Sequence, residues 1–240
     1  MSLKLVETER IRLHEQHEAE RLEKTCQQIQ KDGILWNPII GMELSNGECM
    51  VLDGAHRYAS LVRLGCQRIP VQVVHPMAVT VGAWDHVVKM GKWMKELHMD
   101  PECSWVGRKR EDIYQIEWKT AEGTQGCFGP SGDHPSMKEQ LEVWHRLVRT
   151  YSEAGPVRRV RGEHVSLLRE AVLFRHPVLQ LSDLTRLVET GNVLPAGVTR
   201  VTVQGRLVNL GIPLEWLQKE KPVESMWKAQ CREWEQKVFS

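Results

Sequence analysis

Asp53, Gly54, Ala55, His56 and Arg57 stand in a row where a short apolar run, MVLD, hands over to a helical pattern, AHRYASLVR. An acid, a permissive glycine and two candidate cations at such a junction suit an anion. The N–H groups of a first helical turn have no partners inside the helix and carry the positive end of its dipole, so a phosphate docked there gains hydrogen bonds. Gly54 allows close backbone approach, and Arg57 can add a forked contact. The same pentad also reads as an ordinary strand-to-helix turn with Asp53 as its cap. Phosphoryl transfer needs more than a cradle: charge neutralisation, usually shared with Mg²⁺, and a group that positions or deprotonates the attacking oxygen. Asp53 is a candidate ligand for the metal or the substrate. Glu15, placed just after a strand in LHEQH, is the candidate base; taken alone, such a residue is a solvated acid in most proteins.

The elements that must hold these groups follow from hydrophobic periodicity. Residues 4–13 alternate apolar and charged side chains and predict a strand or strand pair ending at His14 and Glu15. Residues 18–31 change to a helical period through Leu22, Cys26 and Ile29, and Gly33 stops the helix. ILWNPIIGMEL predicts a buried strand, SNGE a hairpin turn to MVLD, and the helix after Asp53 ends at Gly65 before a further strand, RIPVQVV. The first 75 or so residues thus form an α/β unit. Beyond it, residues 80–97 predict a helix, Ile113 to Trp118 a strand, and TQGCFGPSGDHPS a connecting loop without the Lys-Ser/Thr of a Walker A motif. Met137, Leu141, Trp144 and Val148 return to helical spacing, and Ser182 is the expected cap of SDLTRLVETG, which Gly191 ends. Residues 194–214 predict a hairpin about Gln204 and Gly205. Trp227, Cys231, Trp234 and Val238 form a stripe on a last helix, which either docks on its own domain or makes a homodimer contact.

Composition narrows the functional classes. With 240 residues the chain can bury a substantial core as one large domain or two small ones. The 32 basic and 31 acidic residues leave a net charge of +1, so there is no overall electrostatic pull toward nucleic acid. The strongest basic patch, VRRVRGEH at 157–164, is small. No apolar run approaches a bilayer span and the charged start has no signal-peptide core, which places the protein in the cytoplasm, away from membranes. Six cysteines without a C-x-x-C pair read as scattered reduced thiols and argue against a structural zinc. His14 and His17 flank Glu15 but lack the H-E-x-x-H spacing of a zinc protease.

LHE, then RLEKT on a helix, then NPI, then LDGAHRYASLVRLGCQRIPVQVV together resemble the ParB/sulfiredoxin fold family over roughly residues 5–75. Ala55 stands where sulfiredoxin has its catalytic cysteine, and the turn is not the G-E-R-R-type box of ParB partition proteins. D-G-x-H-R is instead similar to the free L-serine kinases of this fold. TVGAWDHVVKMGKW and VLPAGVTRVTVQGRLVNLGIPLEWL extend the resemblance to the serine kinases of staphyloferrin B siderophore biosynthesis, while residues 95–135 match poorly.

The resemblance implies an α/β (α+β) protein: a ParB/sulfiredoxin-like nucleotide-binding domain at residues 1–76, packed on a C-terminal α+β domain at 77–240 that completes the serine site, with the active site in the cleft between them. It implies a kinase that uses ATP or ADP with Mg²⁺ to convert L-serine to O-phospho-L-serine. Glu15 becomes the base, Asp53 a ligand of the reacting hydroxyl or the metal, and Gly54, Ala55, His56 and Arg57 the phosphate cradle. Arg21 and Lys24 would face the phosphates; Trp84, Thr199 and Arg200 would grip the serine. The alternative implied by the fold is a ParB-like, haem-responsive DNA-binding regulator of siderophore genes, with DNA and haem as partners.

Overall fold

The computed structural model describes residues 2–107, 109–110, 113–162, 165–219 and 224–238. In chain order its elements are β1 (Ser2–Glu7), β2 (Ile11–Leu13), α1 (Ala19–Asp32), β3 (Ile34–Leu35), β4 (Ile39–Glu43), β5 (Cys49–Asp53), α2 (Ala55–Arg63), β6 (Arg68–Val73), β7 (Val79–Ala83), β8 (Asp85–Lys89), α3 (Lys92–Met99), β9 (Cys103–Val106), β10 (Ile116–Thr120), β11 (Gln125–Pro130), α4 (Met137–Ala154), β12 (Arg158–Val160), β13 (Ala171–Arg175), α5 (Leu181–Glu189), β14 (Thr199–Val203), β15 (Ile212–Pro213), α6 (Leu214–Gln218) and α7 (Glu224–Val238). They form a mixed α/β protein of two compact units, one made of residues 1–80 and 201–240, the other of 81–200.

The first unit is built on a five-stranded sheet in the order β1-β6-β4-β5-β2. Two of its ladders are parallel, β2 with β5 and β4 with β6, and two are antiparallel. Parallel neighbours need their connections on a sheet face, and α1 and α2 supply that cover. Gly33 closes α1 in the left-handed region at φ 62°, its N–H on the carbonyl of Ile29. Ile11, Ile29, Ile39, Val51, Leu61, Ile69 and Val71 form the buried core.

The same core contains Leu210, Ile212, Leu214, Leu217, Trp227 and Trp234. The compact units therefore do not follow the expected division at residues 76 and 77: residues 201–240 return to the first unit. β15 pairs antiparallel with β3, and the N–H of Gln67 donates to the carbonyl of Leu217. The expected hairpin over residues 194–214 is absent, because β14 pairs with β7 and β15 pairs with β3. The alternation there reflects two short strands serving different partners. On α7, Trp227 and Trp234 are buried against their own unit with ring centroids 5.6 Å apart, as the docking alternative expects of them.

The second unit carries a six-stranded antiparallel sheet in the order β12-β8-β13-β10-β11-β9. Phe128, Phe174, Trp144, Leu147 and Tyr151 are buried in it. The expected helix over residues 80–97 is replaced by β7, β8 and the shorter α3, since Val79, Val81, Val87 and Val88 are β-branched and pack on a pleated surface. The glycine-rich segment expected as a loop contains β11, whose Gly126 leaves room for Trp118 and the carbonyl of Val106. For α5 the cap is Gln180 with Asp183 in a reciprocal box, two residues before the expected Ser182. Of the basic patch, Arg158 and Arg159 lie on the edge strand β12, while residues 163 and 164 fall outside the described chain.

Candidate active site

The register of the parallel β2–β5 ladder pairs Leu13 with Val51. β2 ends at Leu13, so Glu15 follows two residues beyond its C-terminal end, and Asp53 is the last residue of the neighbouring β5. Both carboxylates thus leave the C-terminal ends of adjacent parallel strands, where open α/β sheets place their ligands. On the other side of β5, Asp53 is opposite Ile40 of β4, so the turn Asn37-Pro38 that opens β4 lies beside the same edge. Three separate motifs, LHE, NPI and DGAHR, are gathered by strand register alone. The buried His14 fixes the first of them, its Nδ1 2.6 Å from the carbonyl oxygen of Val51.

Gly54 is the N-cap of α2 with φ 104°, a left-handed value that favours glycine, and no side chain caps the helix. Asp53 is therefore not the cap considered from sequence. Its Oδ2 accepts from Nη2 of Arg57 at 2.9 Å and from Nη2 of Arg206. Nη1 of Arg57 donates to the carbonyl oxygens of Asn37, at 3.0 Å, and Pro38. With a side chain only 19% exposed, Arg57 acts as a brace between the DGAHR and NPI turns. Burial pulls its pKa down, against the opposing charge of Asp53. The arginine that faces solvent here is Arg206, 43% exposed, on the segment returning after Gly205.

His56 Nε2 accepts the backbone N–H of Glu18 at 3.0 Å, tying the start of α2 to the start of α1. The His17 ring meets His56 edge to face at 6.2 Å. Arg21 lies 4.0 Å from the Glu18 carboxylate, and its charge reaches Arg57. Lys24 is paired with Glu20 at 2.6 Å on the exposed side of α1. In the second unit, Arg200 stacks its guanidinium carbon 5.7 Å from the centroid of the Trp84 ring, and Thr199 opens β14. Sequence reasoning missed Arg206. Its one signal is its place in VQGRLVNLG, but its partner Asp53 is 153 residues away along the chain.

Among the described residues, no three His, Cys, Asp or Glu side chains gather as a ready metal cage. The partly exposed carboxylate of Asp53, beside a helix start with no side-chain cap, fits Mg²⁺ that arrives on a nucleotide, since that ion is commonly held by one or two carboxylates and the phosphates themselves.

No family model matches the chain. Known proteins do. It is 34% identical over 239 residues to the ATP-dependent L-serine kinase SbnI of Staphylococcus aureus, covering 98% of this chain and 89% of that protein. This chain belongs to the SbnI family of free L-serine kinases. A solved structure of C-terminally truncated SbnI superposes with a TM-score of 0.83 at 31% identity, covering 99% of this chain and 97% of the other. The ADP-dependent L-serine kinase SerK of Thermococcus kodakarensis is 30% identical over 118 residues, 49% of this chain and 46% of that protein. A free serine kinase in complex with AMP shares the fold with a TM-score of 0.71 at 18% identity, over 90% of this chain and 94% of the other. The ParB/sulfiredoxin-like fold expected from LDGAHR is the fold of this family. The relatives' descriptions favour the kinase and give no support to the DNA-binding alternative.

Proposed function

We propose that the chain is an ATP-dependent kinase of free L-serine whose chemistry is carried by Glu15 and Asp53. The observation that carries this reading is that Glu15 follows the end of β2 and Asp53 closes the adjacent parallel strand β5, whose next residue is the N-cap of α2, a helix start without a side-chain cap. Glu15 takes the proton of the serine hydroxyl as its oxygen attacks the γ-phosphorus. The new O–P bond forms as the bond to the bridging oxygen breaks; ADP leaves and O-phospho-L-serine remains. Asp53, oriented by Arg57 and Arg206, is the proposed ligand of the hydroxyl or of Mg²⁺, which when bound neutralises phosphate charge. The N–H groups of Ala55, His56 and Arg57 are the proposed cradle, with Arg206 and Arg21 as the nearby cations. In the second unit, Trp84, Thr199 and Arg200 are proposed to recognise serine.

Likeness to SbnI supports ATP over ADP as donor, and the motif resemblance of residues 80–93 and 193–217 is the ground for proposing a product destined for siderophore synthesis of the staphyloferrin B type. The six cysteines form no disulfide, and no described helix is long and apolar enough to cross a membrane, which supports a reducing, cytoplasmic setting.

Incubation with L-serine, Mg²⁺ and either nucleotide, followed by detection of O-phosphoserine, tests the reading. Glu15→Gln is expected to fold and bind nucleotide but to lose about 10² to 10⁴ in rate, because an amide cannot accept the proton. Wild-type turnover in that folded variant would remove Glu15 from the role.

A further inference from the structure

Two histidines in the core of the second unit have no part in phosphoryl transfer. His86 and His176 are 2% and 5% exposed, with ring centroids 4.6 Å apart. Each ring holds a carbonyl. Nε2 of His86 lies 2.9 Å from the oxygen of Gly197, and Nδ1 of His176 lies 2.9 Å from the oxygen of Trp84. A carbonyl only accepts, so these nitrogens carry the protons. The remaining nitrogen of His86 then accepts from the Tyr151 hydroxyl at 2.5 Å, and Tyr151 is itself stacked on Phe174. Nε2 of His176 is buried with no hydrogen-bond partner.

The two carbonyls belong to the two segments that carry Trp84 and Arg200. Those segments are also joined directly, by the N–H of Trp84 to the carbonyl of Val198 at 2.9 Å. Gly197 turns there at φ 74°, where a Cβ would collide with the Arg159 guanidinium. The Trp84 ring, the Arg200 guanidinium above it and both backbones beneath are thereby fixed from the core side.

An apolar side chain would fill the same volume without leaving a buried imidazole nitrogen unsatisfied, at a cost that packing alone does not repay. We propose that His86 and His176 are positioning residues for serine recognition, aligning through Nε2 of one and Nδ1 of the other the backbone on which Trp84, Thr199 and Arg200 are displayed. The assignment rests on the reading of free L-serine as substrate and of those three residues as its recognition group.

The test exploits the geometry of amide side chains. Asparagine can place its N–H where Nδ1 of histidine stood, and glutamine where Nε2 stood. Steady-state kinetics should therefore show His176→Asn with a serine KM within about threefold of wild type, and His176→Gln and His176→Leu raised about tenfold or more. At position 86 the order reverses, with His86→Gln retaining serine affinity and His86→Asn losing it. The nucleotide KM should stay within about twofold throughout, with folding checked by near-ultraviolet circular dichroism. Should His176→Leu fail to fold, the Asn and Gln pair still decides. Asn and Gln behaving alike at both positions, or serine and nucleotide KM rising together, would overturn the proposal while leaving the kinase intact. A wild-type protein that makes no O-phosphoserine would overturn the serine reading first and this assignment with it.

Discussion

Arg57 commits its guanidinium to Asn37, Pro38 and Asp53, so its removal should be felt first as lost stability. Hydrogen bonds to a charged group contribute roughly 1.5–3 kcal/mol, and Asp53 keeps Arg206, so Arg57→Ala should cost about 2–3 kcal/mol in urea denaturation. Arg57→Lys should recover only part, since an ammonium lacks the planar fork that reaches two turns at once. If instead Arg57→Ala keeps its stability and loses only nucleotide affinity, the phosphate-fork reading of Arg57 is restored. A second residue-scale effect belongs to His176. Burial, followed by the neighbouring charge of His86, lowers its pKa from 6.5 to about 3, so it stays neutral in the folded protein. The unfolded chain takes up that proton below about pH 6.5, so stability is full above this value and falls as pH drops toward 3, by about 2 kcal/mol at pH 5. Melting temperatures of wild type and His176→Asn between pH 7.5 and 5 check this; the variant should lose less on acidification.

Among the elements, the start of α2 depends on a single backbone conformation. Gly54 combines a φ of 104° with a Cβ direction that points into Nη2 of Arg57 at 2.9 Å. Gly54→Ala should cost about 1–3 kcal/mol in backbone strain and displace the brace that orients Asp53. The expected result is a lowered urea midpoint together with weaker nucleotide binding by calorimetry. Unchanged binding in a folded Gly54→Ala would mean that the first turn of α2 does not hold phosphate.

Across the whole molecule, the first unit is discontinuous in sequence. Chains ending at residue 200 should not fold that unit, because Leu210, Ile212, Leu214, Leu217, Trp227 and Trp234 leave its core. Each such side chain contributes roughly 1.5–3 kcal/mol by burial, and together they match the whole margin of about 5–15 kcal/mol that a domain possesses. Loss of the cooperative thermal transition of this unit is the expected readout. Trp234→Ala should lower stability without making it dependent on protein concentration, as a docked helix requires and a dimer contact does not.

The elements of residues 1–75 and the LDGAHR turn were legible in the chain itself, because each rests on local chemistry: apolar period, glycine stops, and a strand that hands over to a helix. The family was legible for the same reason, through contiguous motifs. Residues 80–97 were misread because a run of β-branched and aromatic residues fits a buried strand and a helix face alike. Residues 194–214 were misread because alternation shows that a segment is extended without saying what it pairs with. Arg57 looked like a free phosphate fork since its acceptors are backbone carbonyls, which no side-chain pattern reveals. Arg206 beside Asp53, the return of residues 201–240 to the first unit, and the histidines beneath Trp84 were decided only by tertiary structure. Their partners lie far apart in the chain, and what selects them is the burial of a shared core and the pairing of strand edges, neither of which leaves a local signature.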